Sequence, residues 1–183
     1  MKRTIAYLLL LLSSQVCVAV AQSRQGIIGD KPDLSGTWAL DNSRGNYIKF
    51  NTDVARAGIT LIISHHEPEL KIRRKFILDG HERTQEPIYY TDGRGETNPA
   101  MMVDQFIKSK TKWDKRKLVT KSSLKTSMRG NMIYTDAMEK WELSPDGKTL
   151  IVTTSTTTPR GDKGVFIVPS DTEDIKKVFK RIS

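Results

Sequence analysis

Beyond residue 34 the chain alternates apolar and polar side chains in short runs, each bounded by Gly, Pro, Asn or Asp. A period of two puts successive side chains on opposite faces of an extended backbone, so the pattern predicts strands joined by tight turns. The first strand covers 35–40, with Trp38 and Leu40 on one face, and Ile59, Leu61 and Ile63 mark the second. After the turn His66-Glu67-Pro68-Glu69, a third strand turns Leu70, Ile72, Phe76 and Leu78 one way and Lys71, Arg73 and Lys75 the other. Asp79-Gly80 is a two-residue hairpin signal. A fourth strand over 82–91 contains Pro87, which cannot donate to a ladder and predicts an edge, a bulge or a break. Segments 105–113, 118–128, 132–143, 150–157 and 165–168 bring the count to about eight or nine.

The tail carries a different period. Ile175, Val178, Phe179 and Ile182 recur at helical spacing, and Ser170 with Glu173 reads as a capping box, so a short amphipathic helix is expected over about 171–182. Hairpin follows hairpin with no alternation of strand and helix. The expected fold class is therefore all-β, an antiparallel up-and-down β-barrel with that C-terminal helix packed outside it.

The start of the chain changes the picture of where this domain works. Lys2 and Arg3, an apolar run over 5–12 and the small residues of Ala19-Val20-Ala21 have the order of a secretory signal peptide. Its apolar part is shorter than the roughly 20 residues that cross a bilayer. The expected organisation is a signal peptide at 1–21, an extension at 22–33 and one domain at 34–183, in a secreted or periplasmic protein. Cys17 is the only cysteine, so the mature chain is expected to depend on burial and hydrogen bonds without a disulfide. The charge is +9 as written and +7 without Lys2 and Arg3, a balance that suits anionic partners without choosing among them.

Three stretches carry a family likeness. Ser35-Gly36-Thr37-Trp38 resembles the Gly-x-Trp signature of lipocalins at the first strand. The stretches 108–114 and 139–150, around Trp113 and Trp141, resemble exported bacterial lipocalin-like proteins of uncharacterised function. In lipocalins the matching tryptophan closes the narrow end of the barrel and stacks on an arginine from the end of the last strand. The resemblance thus implies that Trp38 is a structural plug; Arg160 is the arginine nearest the late strands as read here.

A barrel of eight strands either fills its interior or encloses one small ligand. Phe76 and Trp141 fall on the inward faces together with the hydroxyls of Ser109, Thr111, Thr120 and Ser122, an amphipathic lining suited to a small, partly apolar guest. The plainer reading is that Ser and Thr simply fit strands. Arg74 falls between Ile72 and Phe76 on the same face, where an unpaired charge is costly. An internal acidic partner is the first expectation for it, a bulge that turns it outward the second, and the acid group of a ligand the third.

The remaining chemistry is sparse. His65, His66 and His81 lie at opposite ends of a strand, so a solvated turn is expected and no metal site. The mature chain has no nucleophile elbow, zinc-binding helix motif, phosphate loop or cysteine nucleophile, so no catalytic residue is named and no cofactor is expected. Asp92, Glu96 and Asp104 fall in or near a loop that could rim a pocket, where paired carboxylates and ordinary turn acids look alike in sequence, so an enzyme with carboxylate chemistry stands as a second alternative without motif support. On the outer faces Lys108, Lys110, Lys112, Lys121 and Lys125 form a basic stripe, suited to an anionic surface or polymer or simply to solvation. Too few aromatic residues interleave it for nucleic-acid stacking.

Overall fold

The computed structural model describes residues 31–50, 53, 56, 58–100, 105–128, 131–156, 160–161 and 174–183. The signal peptide, most of the extension, the capping box and the strand expected at 165–168 lie outside the described residues. In chain order the elements are β1 (Gly36–Gly45), α1 (Tyr47–Phe50), β2 (Ile59–His66), β3 (Glu69–Leu78), β4 (His81–Gln85), β5 (Ile88–Tyr90), β6 (Glu96–Pro99), β7 (Phe106–Asp114), β8 (Lys117–Met128), β9 (Asn131–Leu143), β10 (Thr149–Thr156), β11 (Arg160–Gly161) and β12 (Ile175–Arg181).

All the ladders are antiparallel and belong to one sheet, in the order β4-β3-β2-β1-β12-β10-β9-β8-β7-β6, with β5 on β3 and β11 on β9. The strand count exceeds the expected eight or nine because Pro87 splits the fourth strand into β4 and β5, the short strands β6 and β11 form where loops were expected, and the tail adds β12. The sheet curls into a nearly closed barrel. Its seam lies between β5 and β6, where no ladder runs and side chains bridge the gap instead. Asn98 takes the place of a strand partner, accepting from Ile88 N at 2.8 Å and donating to Ile88 O at 2.8 Å, while Gln85 donates to Ala100 O at 2.7 Å. Paired this way, the backbone groups at the seam escape the penalty of an orphaned polar edge.

The tail corrects the sequence reading. Residues 175–181 form strand β12, not the expected C-terminal helix, and β12 is a central strand laddered to β1 on one side and β10 on the other. The helical spacing of the apolar residues arose because both faces of this strand are covered. Phe179 joins the barrel core, while Val178 packs on the opposite face, where a side chain on Gly45 would touch it. A strand buried on both faces loses its period-two signature, and tertiary pairing overrides local pattern.

β12 also supplies the arginine of the barrel plug. Trp38 is fully buried and donates from Nε1 to Leu34 O at 3.1 Å. Arg181, not Arg160, lies over its ring with the guanidinium carbon 4.3 Å from the centroid. The guanidinium is tied down by Gly147 O at 2.8 Å and Ser35 O at 2.7 Å. Gly36 is needed here: its φ is +135°, and a Cβ would stand 2.8 Å from Arg181 Nη1. Around this plug Leu61, Ile63, Leu70, Ile72, Leu118, Leu150 and Trp141 fill the closed end.

Candidate functional site

Alternation along β3, β7, β8, β9, β10 and β12 carries one set of side chains into the barrel. At the closed end this set is apolar and fully packed. Midway along the barrel it becomes ionic. Arg74 faces inward from β3; the ladder is continuous there, pairing it with Leu61 and Gln85, so no bulge turns it out. Glu139 from β9 and Lys177 from β12 join it in a pocket completed by Ile59, Leu61, Trp141, Val152 and Phe179. The free volume of this pocket is about 10 Å³, room for about one water.

The polar inventory of the pocket is unbalanced. Glu139 accepts from Thr154 Oγ1 at 3.1 Å and lies 3.8 Å from Lys177 Nζ. No carboxylate among the described residues approaches Arg74 within 4 Å, so the internal salt bridge expected first for it is absent among them. Its partner is the buried Tyr89 hydroxyl, which burial pushes up to about 12 against the opposing influence of the Arg74 charge. The indole N–H of Trp141 is buried without an acceptor among the described residues. Burial pushes the Lys177 ammonium down from its ordinary range; Glu139 opposes that effect and Arg74 adds to it. The Tyr47 ring of α1 lies against Lys177, its centroid 5.3 Å from Nζ. Two cationic side chains thus share a space with one carboxylate, and the indole lining the same space carries an N–H without an acceptor among the described residues.

Of the other interior residues expected from the sequence, Phe76 and Trp141 are core residues, 3% exposed each. Ser109, Thr111 and Thr120 do face inward and are buried, but their hydroxyls are already engaged. Glu96 reaches into the barrel from β6 and accepts from Ser109 Oγ at 2.7 Å and Thr111 Oγ1 at 2.8 Å, and Thr111 is 3.0 Å from Thr120. Ser122 is half-buried farther along β8. The structure places Glu96, an acid in or near a loop by the sequence pattern, at the start of β6 directly opposite Ser109 in the β6–β7 ladder; no period within one strand marks such a single carboxylate. Glu139 and Lys177 were missed for the same kind of reason, since Lys177 sat in an apparent helix and Glu139 in a run of charged residues.

The histidines are not all solvated. The side chain of His65 is 5% exposed and its Nε2 lies 3.1 Å from Glu67 Oε1, with Trp113 tilted against its ring at 5.9 Å. Glu67 also accepts from Lys31 Nζ at 2.9 Å, Thr91 Oγ1 at 2.6 Å and Trp113 Nε1 at 2.5 Å. Burial works against the charge on Glu67, but the hydrogen bonds from Thr91, Lys31, Trp113 and His65 hold its carboxyl at about 2. This cluster ties the incoming chain, the β2–β3 turn and the end of β7 together at the closed end. On the outside, the register places Lys110 directly opposite Lys121 and Lys108 opposite Ser123, so the basic stripe is one continuous face of β7 and β8. Lys125 is 5.6 Å from the Tyr134 ring on the same side.

No protein-family model matches the chain, and no curated protein matches it. Solved structures do resemble it. A fatty acid transporter, REP1-NXSQ, is 14% identical over 82% of this chain and 97% of that one, with a TM-score of 0.55. Secretory abundant heat soluble protein 4 from Ramazzottius varieornatus is 14% identical over 84% and 97%, with a TM-score of 0.54. Lipid binding protein 8 from Caenorhabditis elegans, in its apo form, is 9% identical over 80% and 94%, with a TM-score of 0.51. The likeness at these identities is one of fold: the chain shares with these proteins a nearly closed antiparallel β-barrel.

Proposed function

We propose that the barrel binds a small amphipathic anion, with its acid group against Arg74, Lys177 and the indole N–H of Trp141. The observation that carries this reading is the excess of donors in the ionic pocket. A cation buried without a matched anion is costly, and a buried donor with no acceptor costs about 1–3 kcal/mol. A carboxylate or phosphate placed between Arg74 and Lys177 removes both penalties. The names of two structural neighbours, a fatty acid transporter and a lipid binding protein, support a partly apolar guest. Because the pocket holds about one water, uptake requires the side chains that line it to move apart. The apolar part of the guest then lies along the inward side chains of Phe76, Ile107 and Leu124. We further place the protein outside the cytoplasm, on the signal-like residues 1–21; N-terminal sequencing of the exported protein tests this.

The binding test uses a dansylated undecanoic acid probe displaced by oleate or by oleyl alcohol. Arg74→Gln and Lys177→Gln are each expected to weaken acid binding by roughly 10-fold or more, with little effect on the alcohol. Failure of the folded protein to take up the probe overturns the reading, as does acid binding indifferent to both variants.

A further inference from the structure

The outer face of β7, β8 and β9 is basic beyond any structural need. Lys110 stands directly opposite Lys121, and like charges in cross-strand register destabilise a sheet. Lys112 and Lys140 flank Val119 in the next row. Among the described residues no carboxylate forms an ion pair with Lys108, Lys110, Lys112 or Lys121. Of the acids on this face, Glu142 pairs with Lys117 at 2.9 Å, Asp114 stands opposite Lys117 at the far end of β7, and Asp136 has an interaction of its own. Lys108, Lys110, Lys121, Ser123 and Asp136 line part of a groove of about 630 Å³ that also takes in the inward-facing Ser109 and Ser122.

A second feature shares the face. Phe106 begins β7 with its side chain on the side of Lys108, Lys110 and Lys112, and it is 72% exposed. A large apolar side chain left in water beside a row of unpaired lysines is the composition of a surface that meets a lipid interface. Charge alone suits an acidic polymer equally well, but a polymer gives Phe106 nothing to enter. Tyr134, the aromatic residue available for stacking, is already against Lys125.

We infer that this face docks the protein on anionic lipid surfaces, the lysines meeting headgroups and Phe106 entering the interface. The inference stands apart from the interior site, since probe uptake is measured without vesicles. The test is flotation of the chain with phosphatidylcholine vesicles and with vesicles containing about a third phosphatidylglycerol. The native chain and a Lys108→Gln, Lys110→Gln, Lys121→Gln variant are compared in the same background, so the first 21 residues contribute equally to both. Native binding to the anionic vesicles is expected to fall steeply with salt. The triple variant should bind them on the order of 100-fold more weakly, and Phe106→Ser roughly 10-fold more weakly. Circular dichroism checks that the variants keep their fold. As a direct readout, an environment-sensitive fluorophore on Phe106→Cys, in a chain carrying Cys17→Ser, should shift to the blue with anionic vesicles only. Undiminished vesicle binding by the triple variant overturns the inference, as does a fluorophore that does not respond. Retention on a sulfated polysaccharide that depends on the lysines but not on Phe106, without vesicle binding, also overturns it and assigns the face to acidic polymers.

Discussion

The Glu67 cluster makes a quantitative prediction about acid stability. A carboxyl held at about 2 in the folded chain against an ordinary 4.5 corresponds to about 3 kcal/mol of stabilisation at full value. The Glu67 side chain is 36% exposed, and solvent screening brings the expected contribution down to about 1–2 kcal/mol. Because the folded value is depressed, the contribution is fully present above the unfolded value near 4.5. It disappears as the pH falls toward 2, where the folded carboxyl protonates as well. Glu67→Gln keeps the shape and removes the charge. Urea denaturation of both proteins at pH 7, 5, 4, 3 and 2 measures the difference directly. Other acids that titrate, Asp41 among them, act equally on both proteins and cancel. The native chain should be more stable than the variant by about 1–2 kcal/mol at pH 7, with the gap closing below pH 4. A gap that stays constant with pH, or no gap at neutral pH, refutes the argument that hydrogen bonds from Lys31, His65, Thr91 and Trp113 stabilise the ionised form.

Two further substitutions probe the packing beneath the site. Trp38→Ala empties the plug and strips Arg181 of its stacking surface, and it should lower the unfolding free energy by about 3–5 kcal/mol in urea melts; a smaller loss than Ile63→Val would contradict the plug. Glu96→Ala leaves the hydroxyls of Ser109 and Thr111 and the N–H of Tyr90 without their acceptor. A loss of about 2–3 kcal/mol is expected, together with faster amide exchange along β6 and β7; unchanged exchange there would argue against Glu96 as the tie between β5, β6 and β7.

The class of fold was legible in the sequence because strand burial on one face writes itself into a period of two. Inward Leu70, Ile72 and Phe76, outward Lys71, Arg73 and Lys75, the Asp79-Gly80 hairpin and the break at Pro87 all follow from that period and from local turn chemistry. The tail was not legible for the complementary reason: β12 has covered side chains on both faces, and its apolar residues then mimic a helix. The same misreading hid Arg181, which stacks on Trp38 only once the last strand lies beside β1.

The sequence alone pointed to an antiparallel β-barrel through its succession of hairpins, and to an inward Arg74 and a basic outer stripe on β7 and β8 through alternation within single strands; the plug at Trp38 came from the resemblance to lipocalins. Only the tertiary structure decided which charges meet inside. Arg74, Glu139 and Lys177 lie on three strands far apart in the chain, and Glu96 meets Ser109 and Thr111 across the β6–β7 ladder. Closing the sheet brings those strands around one interior, and nothing periodic within any one of them records which partners the others supply.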